Sequence, residues 1–286
     1  MGEAAGLVAG LMALVAGVVA LERRQDVVGR VARALVTQPR RTLLPDLLLA
    51  RLGVIGLPVV AVLPALVLPV GERAVLELGV GVVWFNAMEV GAWAALWLAG
   101  WGANSVFPLV GGYRFVAQGL AYELPHMFAL ITVALGAGSL RFADVVAAQD
   151  GLWFVVWMPA AFLVYVVSAL AMAFWGPMAE PVGAGIAGGV AAELAGADRL
   201  VFFAGRYLLL VVAAGAAVPL FLGGGAGPLL PAWAWTLVKT VAMVALLAEI
   251  GRRMPAVRMD RFMTFAWMVL IPVSLLQLLV VGIVVI

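Results

Sequence analysis

Long apolar stretches separated by short polar connections make up almost the whole chain. A helix needs about 20 predominantly apolar residues to cross the hydrocarbon core of a bilayer. Eight stretches meet that requirement, and the connections leave no room for a second domain. The pattern predicts an all-α integral membrane protein in which residues 1–286 form a single membrane domain. The expected spans lie near residues 4–21, 51–70, 76–100, 117–140, 152–174, 201–222, 231–250 and 264–285.

The longest polar connection, residues 22–46, contains apolar residues at helical spacing. Val27, Val31 and Leu35 fall on one side of such a helix, with arginines on the other. We therefore expect an amphipathic helix over about 26–38 that lies on the membrane surface.

Arginines are concentrated in the odd-numbered connections. Seven lie between Arg23 and Arg51 and four lie within 252–261, whereas the opposite connections contain only Arg73 and Arg141. Cytoplasmic loops carry an excess of basic residues. The asymmetry predicts cytoplasmic odd loops and outward termini. Because arginine far outnumbers lysine and Ala, Val, Gly and Leu are abundant, we expect a bacterial chain in the cytoplasmic (inner) membrane.

Composition narrows the possible functions. The chain is 66% hydrophobic and 11% charged, whereas soluble domains are about 45–50% apolar and about 25% charged. It has no cysteine and one histidine, which excludes disulfides, thiolate ligation of iron–sulfur clusters and a haem held by two of its own histidines. We expect no metal site, no cofactor bound by this chain and no nucleic-acid partner.

Three carboxyl groups are candidates for proton exchange. A charge inside a bilayer costs at least about 2.5–3.5 kcal/mol on insertion scales and usually faces a cavity or a partner. Glu89 and Glu123 lie within predicted spans, without an opposite charge four residues away, and Glu193 lies among glycines. The alternatives are a structural pair with an arginine of another span for Glu89 or Glu123, and an interfacial loop acid for Glu193. Glu249, next to two arginines, is expected to form a surface ion pair.

A polar stripe precedes Glu123 on the same predicted helix. Its members recur every four residues, and they are Arg114, Gln118 and Tyr122. Pro125 removes a backbone hydrogen bond and frees a carbonyl one turn earlier. His126, beside it, is interpreted as part of this kink and not as a ligand.

These residues also carry a family resemblance. The block 100–125, GWGANSVFPLVGGYRFVAQGLAYELP, resembles the signature of the H subunit of bacterial NADH–quinone oxidoreductase, equivalent to subunit 1 of mitochondrial complex I. That signature is approximately GW-x-SN, a loop, and LR-x-x-AQ-x-x-x-YE-[LVI]-P. The block 255–275, PAVRMDRFMTFAWMVLIPVSL, is similar to the family's P-R-x-R-x-D-Q-x-M…W…P. The matches there include Arg258 and Asp260.

The chain departs from the family in three places. The family's GPN loop after the first span is missing. The third cytoplasmic loop, 176–196, retains Glu180 and Glu193 but has lost most of the family's acids. The glutamate that the family places before a tyrosine in the sixth span is replaced by Arg206, ahead of Tyr207.

The resemblance implies a membrane anchor that docks a peripheral redox arm over a quinone chamber. Quinone is then the substrate, while FMN and iron–sulfur clusters belong to partner subunits. The implied partners are 49-kDa-like and small iron–sulfur arm subunits, small membrane subunits, antiporter-like subunits and the lipid bilayer. By position, the proton relay would use Glu123, Glu193 and Glu89. The quinone junction would use Arg114, Gln118, Tyr122, Arg23, Arg30, Arg258 and Asp260.

Three other functions are compatible with the sequence. The equivalent subunit of a membrane-bound hydrogenase or formate hydrogenlyase would explain the shortened acidic loop. A divergent copy that only anchors the arm would explain the lost acids. A secondary transporter using Glu89 and Glu123 would be expected to show inverted repeats, and the sequence shows no repeat.

Overall fold

The computed structural model describes residues 2–23 and 27–285, and the side chains of residues 5–19, 28–29 and 31–285. Within those ranges the regular structure is helical and no strand occurs. The α-helices are α1 (Gly2–Arg23), α2 (Val27–Val36), α3 (Leu47–Val62), α4 (Gly81–Gly102), α5 (Val106–Ala137), α6 (Phe142–Ala147), α7 (Phe154–Trp157), α8 (Pro159–Met172), α9 (Gly196–Phe221), α10 (Ala232–Arg253), α11 (Met259–Phe265) and α12 (Ile271–Val285). A 3₁₀ turn, Leu63–Val67, extends α3, and a π-helical turn, Ala266–Leu270, joins α11 to α12.

Six helical segments are long and apolar enough to cross a membrane, among the residues described. They are Leu47–Val67, Gly81–Gly102, Val106–Ala137, Gly196–Phe221, Ala232–Arg253 and Met259–Val285. The first and fifth predicted spans correspond to shorter apolar helices, Ala5–Val19 and Pro159–Met172. The all-α, multi-pass class is confirmed. The fifth region is divided because Pro159 has no amide hydrogen to donate and therefore begins a new helix, α8.

The first polar connection contains helix α2, which packs against α9. Its existence agrees with the amphipathic helix predicted from the spacing, although Asp26 lies outside the described residues. Val28, Leu35 and Val36 are strongly exposed. These three apolar side chains are therefore left uncovered by the rest of the described chain, whereas Val31 is partly buried.

Helix α9 forms the centre of the bundle. In the most apolar 18-residue stretch of α9, 72% of the residues are buried. The corresponding stretch of the segment formed by α11 and α12 has 22% of its residues buried. Helix α9 packs against α1, α3, α8 and α10, while the α4–α5 hairpin packs between α3 on one side and α8 and α12 on the other. The hairpin that contains the family-like block is thus enclosed by helices.

Glycines bring α3 and α4 into close contact. A Cβ atom on Gly53 would lie 2.3 Å from the backbone nitrogen of Ala99, and one on Gly102 would lie 2.3 Å from that of Ala50. Only glycine allows this approach, which is a common way for membrane helices to pack.

Asn104 fixes the turn between α4 and α5 to the first connection. Its backbone is left-handed, with φ of 44°, which asparagine tolerates better than most residues. Its Nδ2 donates to the carbonyl oxygens of Leu43 and Leu44 at 3.0 and 3.2 Å. The asparagine of the GW…N motif therefore has a structural role in this chain.

Candidate functional site

Helices α4 and α5 bring four polar side chains together inside the bundle. Asn86 and Glu89 are three residues apart on α4, and Glu123 and His126 are three residues apart on α5. Residues at that spacing lie on the same face of a helix. The two faces meet within the hairpin, and we refer to these four residues as the buried cluster.

The contacts within the buried cluster form a chain. Asn86 Nδ2 donates a hydrogen bond to Glu123 Oε1 at 2.7 Å. Glu123 and Glu89 lie on facing sides of α5 and α4, close enough for the charge of one carboxyl group to act on the other. Glu89 Oε1 in turn lies 3.4 Å from His126 Nε2. The order is therefore Asn86, Glu123, Glu89 and His126.

The buried cluster has unused hydrogen-bonding capacity. The side chains of Glu89 and His126 are 0% exposed. Considering only described residues, hydrogen-bond partners are missing for the following buried atoms: Asn86 Oδ1, both Glu89 oxygens, Glu123 Oε2 and both His126 ring nitrogens. Buried polar atoms are normally paired, and ionisable residues inside a membrane are commonly functional. The two carboxyl groups and the imidazole are chemically suited to hold and exchange a proton.

The polar stripe predicted ahead of Glu123 does not act as one surface, because its two buried members bind different neighbours. Gln118 Nε2 donates to the carbonyl oxygen of Ala171 at 2.7 Å. The Tyr122 hydroxyl accepts from Trp93 Nε1 at 3.1 Å. Tyr122 therefore lies beside the buried cluster, and Gln118 ties α5 to α8.

Arg114, the third member of the stripe, belongs to a clamp between three segments. Its Nη1 lies 3.2 Å from Glu180 Oε1 in the α8–α9 connection. The other oxygen of Glu180 accepts a hydrogen bond of 2.7 Å from the amide of Met259, the first residue of α11. Glu180, one of the few acids left in the shortened loop, thus holds α5, this loop and α11 together.

Glu193 lies apart from the other two candidate acids. Its Oε1 accepts a hydrogen bond of 3.1 Å from Ser105 Oγ, at the start of α5. Ser105 precedes Glu123 by 18 residues, which is about 27 Å along a helix. The structure therefore joins Glu89 to Glu123 but leaves Glu193 separate.

Glu193 instead lines a cavity of about 300 Å³ between the first connection, α3, α4 and the start of α9. The charged residues around this cavity are Arg40, Arg41, Arg51, Glu193 and Asp198. Its remaining wall is largely apolar and includes Leu47, Val54 and Ala99. An apolar cleft with a few charged groups is typical of a site for an amphipathic small molecule.

The other predicted junction residues do not reach the buried cluster. Arg258 Nε pairs with Asp260 Oδ1 at 3.2 Å, and their side chains are 74% and 64% exposed. The side chains of Arg23 and Arg30 lie outside the described residues.

Arg206 makes cation–π and hydrogen-bond contacts where the resemblance predicts an acid. Its Nη2 donates to the carbonyl oxygen of Phe174 at 2.7 Å. Its guanidinium lies 4.7 Å from the ring centre of Trp175 and 5.0 Å from that of Phe174. The arginine therefore joins α9 to the end of α8 by contacts that a carboxylate could not make.

Lys239 holds a loop remote from the arginine-rich connections. Its ammonium donates to the carbonyl oxygens of Leu222, Gly224 and Ala226 at 2.7, 2.9 and 2.7 Å. It also lies 4.2 Å from the ring centre of Trp153. The ammonium group of Lys239 in α10 therefore stabilises the glycine-rich turn after α9.

Sequence reasoning missed Asn86 and interpreted His126 only as part of a kink. Each lies three residues from a candidate acid on its own helix, so the spacing carried a usable signal. The pairing of the two faces could not be read from spacing, because it depends on how α4 and α5 pack. Pro125 lies inside the continuous helix α5. Among described residues, no group of three or more His, Asp or Glu side chains could hold a metal ion.

Comparisons with known proteins agree on one family. The profile of the family described as NADH dehydrogenase matches residues 42–282. The NADH-quinone oxidoreductase H subunit 2 from Geobacter sulfurreducens is 38% identical over 209 residues, which cover 73% of this chain and 64% of that protein. The H subunit 1 from Geobacter metallireducens is 35% identical over 240 residues, covering 79% and 73%.

A third relative, the NADH-quinone oxidoreductase H subunit from Carboxydothermus hydrogenoformans, is 33% identical over 223 residues. These cover 76% of this chain and 64% of the relative. The matched part therefore spans slightly less than two thirds of the Geobacter sulfurreducens and Carboxydothermus proteins. These names favour the quinone oxidoreductase interpretation over the hydrogenase alternative.

Proposed function

Because the chain belongs to the family of the H subunit of NADH–quinone oxidoreductase, we propose that it is a membrane subunit of a complex I-like, proton-translocating oxidoreductase. The observation that carries this proposal is the buried cluster within the hairpin that contains the family-like block. It places two carboxyl groups close to each other inside a membrane bundle, which a simple anchor would not need. In this proposal the redox cofactors belong to partner subunits and the chain has no activity alone.

The cavity beside Glu193 is the proposed site where quinone approaches. Its apolar wall suits an isoprenoid tail or ring, and arginine side chains can donate to the carbonyl oxygens of a quinone. Arg23 and Arg30 are proposed to border the entrance, since they belong to the same connection. Quinone reduction would change the charge at this end of α5, where Glu193 and the Arg114–Glu180 clamp lie.

The proton path is proposed to continue along α5. Gln118 and Tyr122 lie along α5 between the clamp and Glu123, and water molecules beside them would bring the proton to Glu123, which then exchanges it with Glu89. Each transfer between water and carboxyl oxygens breaks one O–H bond and forms another, so no electron is carried by this chain. Glu193 would act at the quinone end of the path, and Glu123 and Glu89 inside the membrane.

The redox arm is proposed to dock on the arginine-rich end of the bundle. The exposed arginines there are Arg40, Arg41, Arg51, Arg252, Arg253, Arg258 and Arg261. Such a surface favours an acidic partner and fixes its orientation. FMN and iron–sulfur clusters would reside in the arm subunits, including 49-kDa-like and small iron–sulfur subunits. Small membrane subunits and antiporter-like subunits would receive the protons.

The arginine-rich end is proposed to face the cytoplasm of a bacterial cell, with both termini outside. The native chain has no cysteine. A variant with one cysteine at position 41, or one at position 226, therefore has a single site that a thiol reagent can label. A membrane-impermeant reagent added to intact spheroplasts should label position 226 and not position 41. The reverse labelling would contradict this orientation.

Purification through an affinity tag on this chain tests the assignment. Iron–sulfur proteins should copurify, and the isolated complex should oxidise NADH in a quinone-dependent reaction. A large arm subunit containing nickel would instead indicate a hydrogenase. A complex that transfers electrons without moving protons would indicate a subunit that only anchors the arm. Recovery of this chain without any redox partner would contradict the proposal.

A further inference from the structure

Glu89 and His126 are the least satisfied polar pair in the described part of the chain. Both side chains are fully buried, and Glu89 Oε1 and His126 Nε2 are 3.4 Å apart. None of their four side-chain polar atoms has a hydrogen bond to a described residue. A pair that served only to join α4 to α5 would be expected to use these atoms, because an unsatisfied buried polar group is destabilising.

The Glu89–His126 pair has a neighbouring acid on one side only, among the described residues. Glu89 lies close to Glu123 on the facing helix, and Glu123 accepts a hydrogen bond of 2.7 Å from Asn86. On the far side the His126 ring lies 5.4 Å from the ring centre of Tyr165 in α8. The Tyr165 hydroxyl donates to the carbonyl oxygen of Ala213 at 2.7 Å, so its proton is directed away from His126. The pair therefore lies at the end of the described chain of acids.

We infer that Glu89 and His126 together hold one exchangeable proton, which they receive from Glu123 and keep inside the membrane. This inference rests on the proposed function, and it adds His126 as a proton-carrying residue. The transfer begins when the Glu123 O–H bond breaks and the proton binds the Glu89 carboxylate. The Glu89 O–H bond then breaks as the Nε2–H bond of His126 forms, which leaves a carboxylate–imidazolium pair. No electron moves, and the reverse steps return the proton.

The chemistry of the pair suits such storage. An imidazole can bind a proton on one nitrogen and release it from the other. The imidazolium would lie next to the Glu89 carboxylate, whose opposite charge offsets part of the cost of burying it. Because Nδ1 has no hydrogen bond to a described residue, it can pass the proton to a water molecule inside the bundle.

A spectroscopic experiment tests the pair without requiring any redox activity. The chain has a single histidine, so ¹⁵N-histidine labelling of the full chain in lipid nanodiscs, purified with a histidine-free tag, gives one pair of ring signals. Glu89→Gln should shift the Nε2 signal, because it replaces an exchangeable carboxyl with an amide. Thr132→Val is the matched control, since Thr132 is also buried on α5 and bonds only to its own helix at Phe128. An Nε2 signal that Glu89→Gln leaves unchanged overturns the inference.

A pumping experiment separates proton storage from a structural role. The assembled complex is placed in proteoliposomes, and protons moved per quinone reduced are measured for His126→Gln and His126→Leu. Glutamine can still form hydrogen bonds but cannot carry a proton, so both variants should lower the ratio while Thr132→Val retains it.

The outcomes distinguish the proton-storage role of Glu89 and His126 from the proposed function of the whole chain. If His126→Gln assembles and keeps the full ratio, the storage role is wrong while the proposed function stands. If Glu123→Gln also keeps the full ratio, the relay itself is wrong. If neither His126 variant assembles, the ¹⁵N measurement alone decides.

Discussion

Asn86 on α4 donates a hydrogen bond of 2.7 Å to the Glu123 carboxylate on α5. This contact joins the acid of the family-like block to a residue of α4 that lies outside the block. An amide donor inside a membrane bundle is valuable because lipid offers no replacement partner. The position of Glu123 therefore depends on a residue that no motif identifies.

Replacement of Asn86 with leucine should destabilise the chain. Asn86→Leu keeps a similar size but leaves Glu123 Oε1 without its donor, which should lower the free energy of unfolding by about 1–3 kcal/mol. Unfolding of the purified chain by SDS in mixed micelles measures the change. Thr132→Val, which removes a hydroxyl bonded within one helix, should cost less. Equal losses for the two variants would mean that the Asn86–Glu123 bond is unimportant.

The Glu180 clamp should control the order of the shortened loop. Glu180→Ala removes the contact with Arg114 and the acceptor for the Met259 amide, and hydrogen bonds to charged groups contribute about 1.5–3 kcal/mol each. Limited proteolysis should therefore cut within residues 183–188 several times faster in this variant. Glu249→Ala is the control, because Glu249 pairs only with Arg252 and Arg253 of its own helix end. Similar cleavage rates in both variants would argue against the clamp.

Lys239 should matter for stability and not for proton transfer. Lys239→Met keeps the length of the side chain but removes three charge-assisted hydrogen bonds, so unfolding in SDS should be easier by roughly 3 kcal/mol or more. Val238→Met, at an exposed neighbouring site, should change stability by at most about 0.5 kcal/mol. Complexes that assemble with Lys239→Met should keep the wild-type ratio of protons to quinone. A reduced ratio would place Lys239 in the proton path.

The sequence predicts the membrane helices well because lipid imposes a simple rule. An apolar stretch of sufficient length must satisfy its backbone hydrogen bonds internally, and a helix does so. Residues 117–137 of the predicted fourth span are helical for this reason, even across Pro125, whereas the observed helix begins earlier than predicted, at Val106. The same rule does not predict short interruptions of a helix. It therefore does not predict the division between α7 and α8 at Pro159.

The candidate site is only partly predictable for a different reason. Glu89 and Glu123 stand out because charge is unusual in an apolar span, and that signal is local. The contact between them, the bond from Asn86 and the position of His126 depend on the packing of α4 against α5. The partner of Arg114 could not be predicted from the neighbouring sequence for the same reason, since Glu180 is 66 residues away along the chain.

Proton translocation by complexes carrying Glu123→Gln tests the central claim most directly. Glutamine keeps the shape of the side chain and can still accept from Asn86, but it cannot exchange a proton with Glu89. Proteoliposomes containing the intact variant complex should therefore show no quinone-dependent proton uptake, while the wild-type complex pumps under the same conditions. An assembled Glu123→Gln complex that pumps at the wild-type ratio of protons to quinone would contradict the relay.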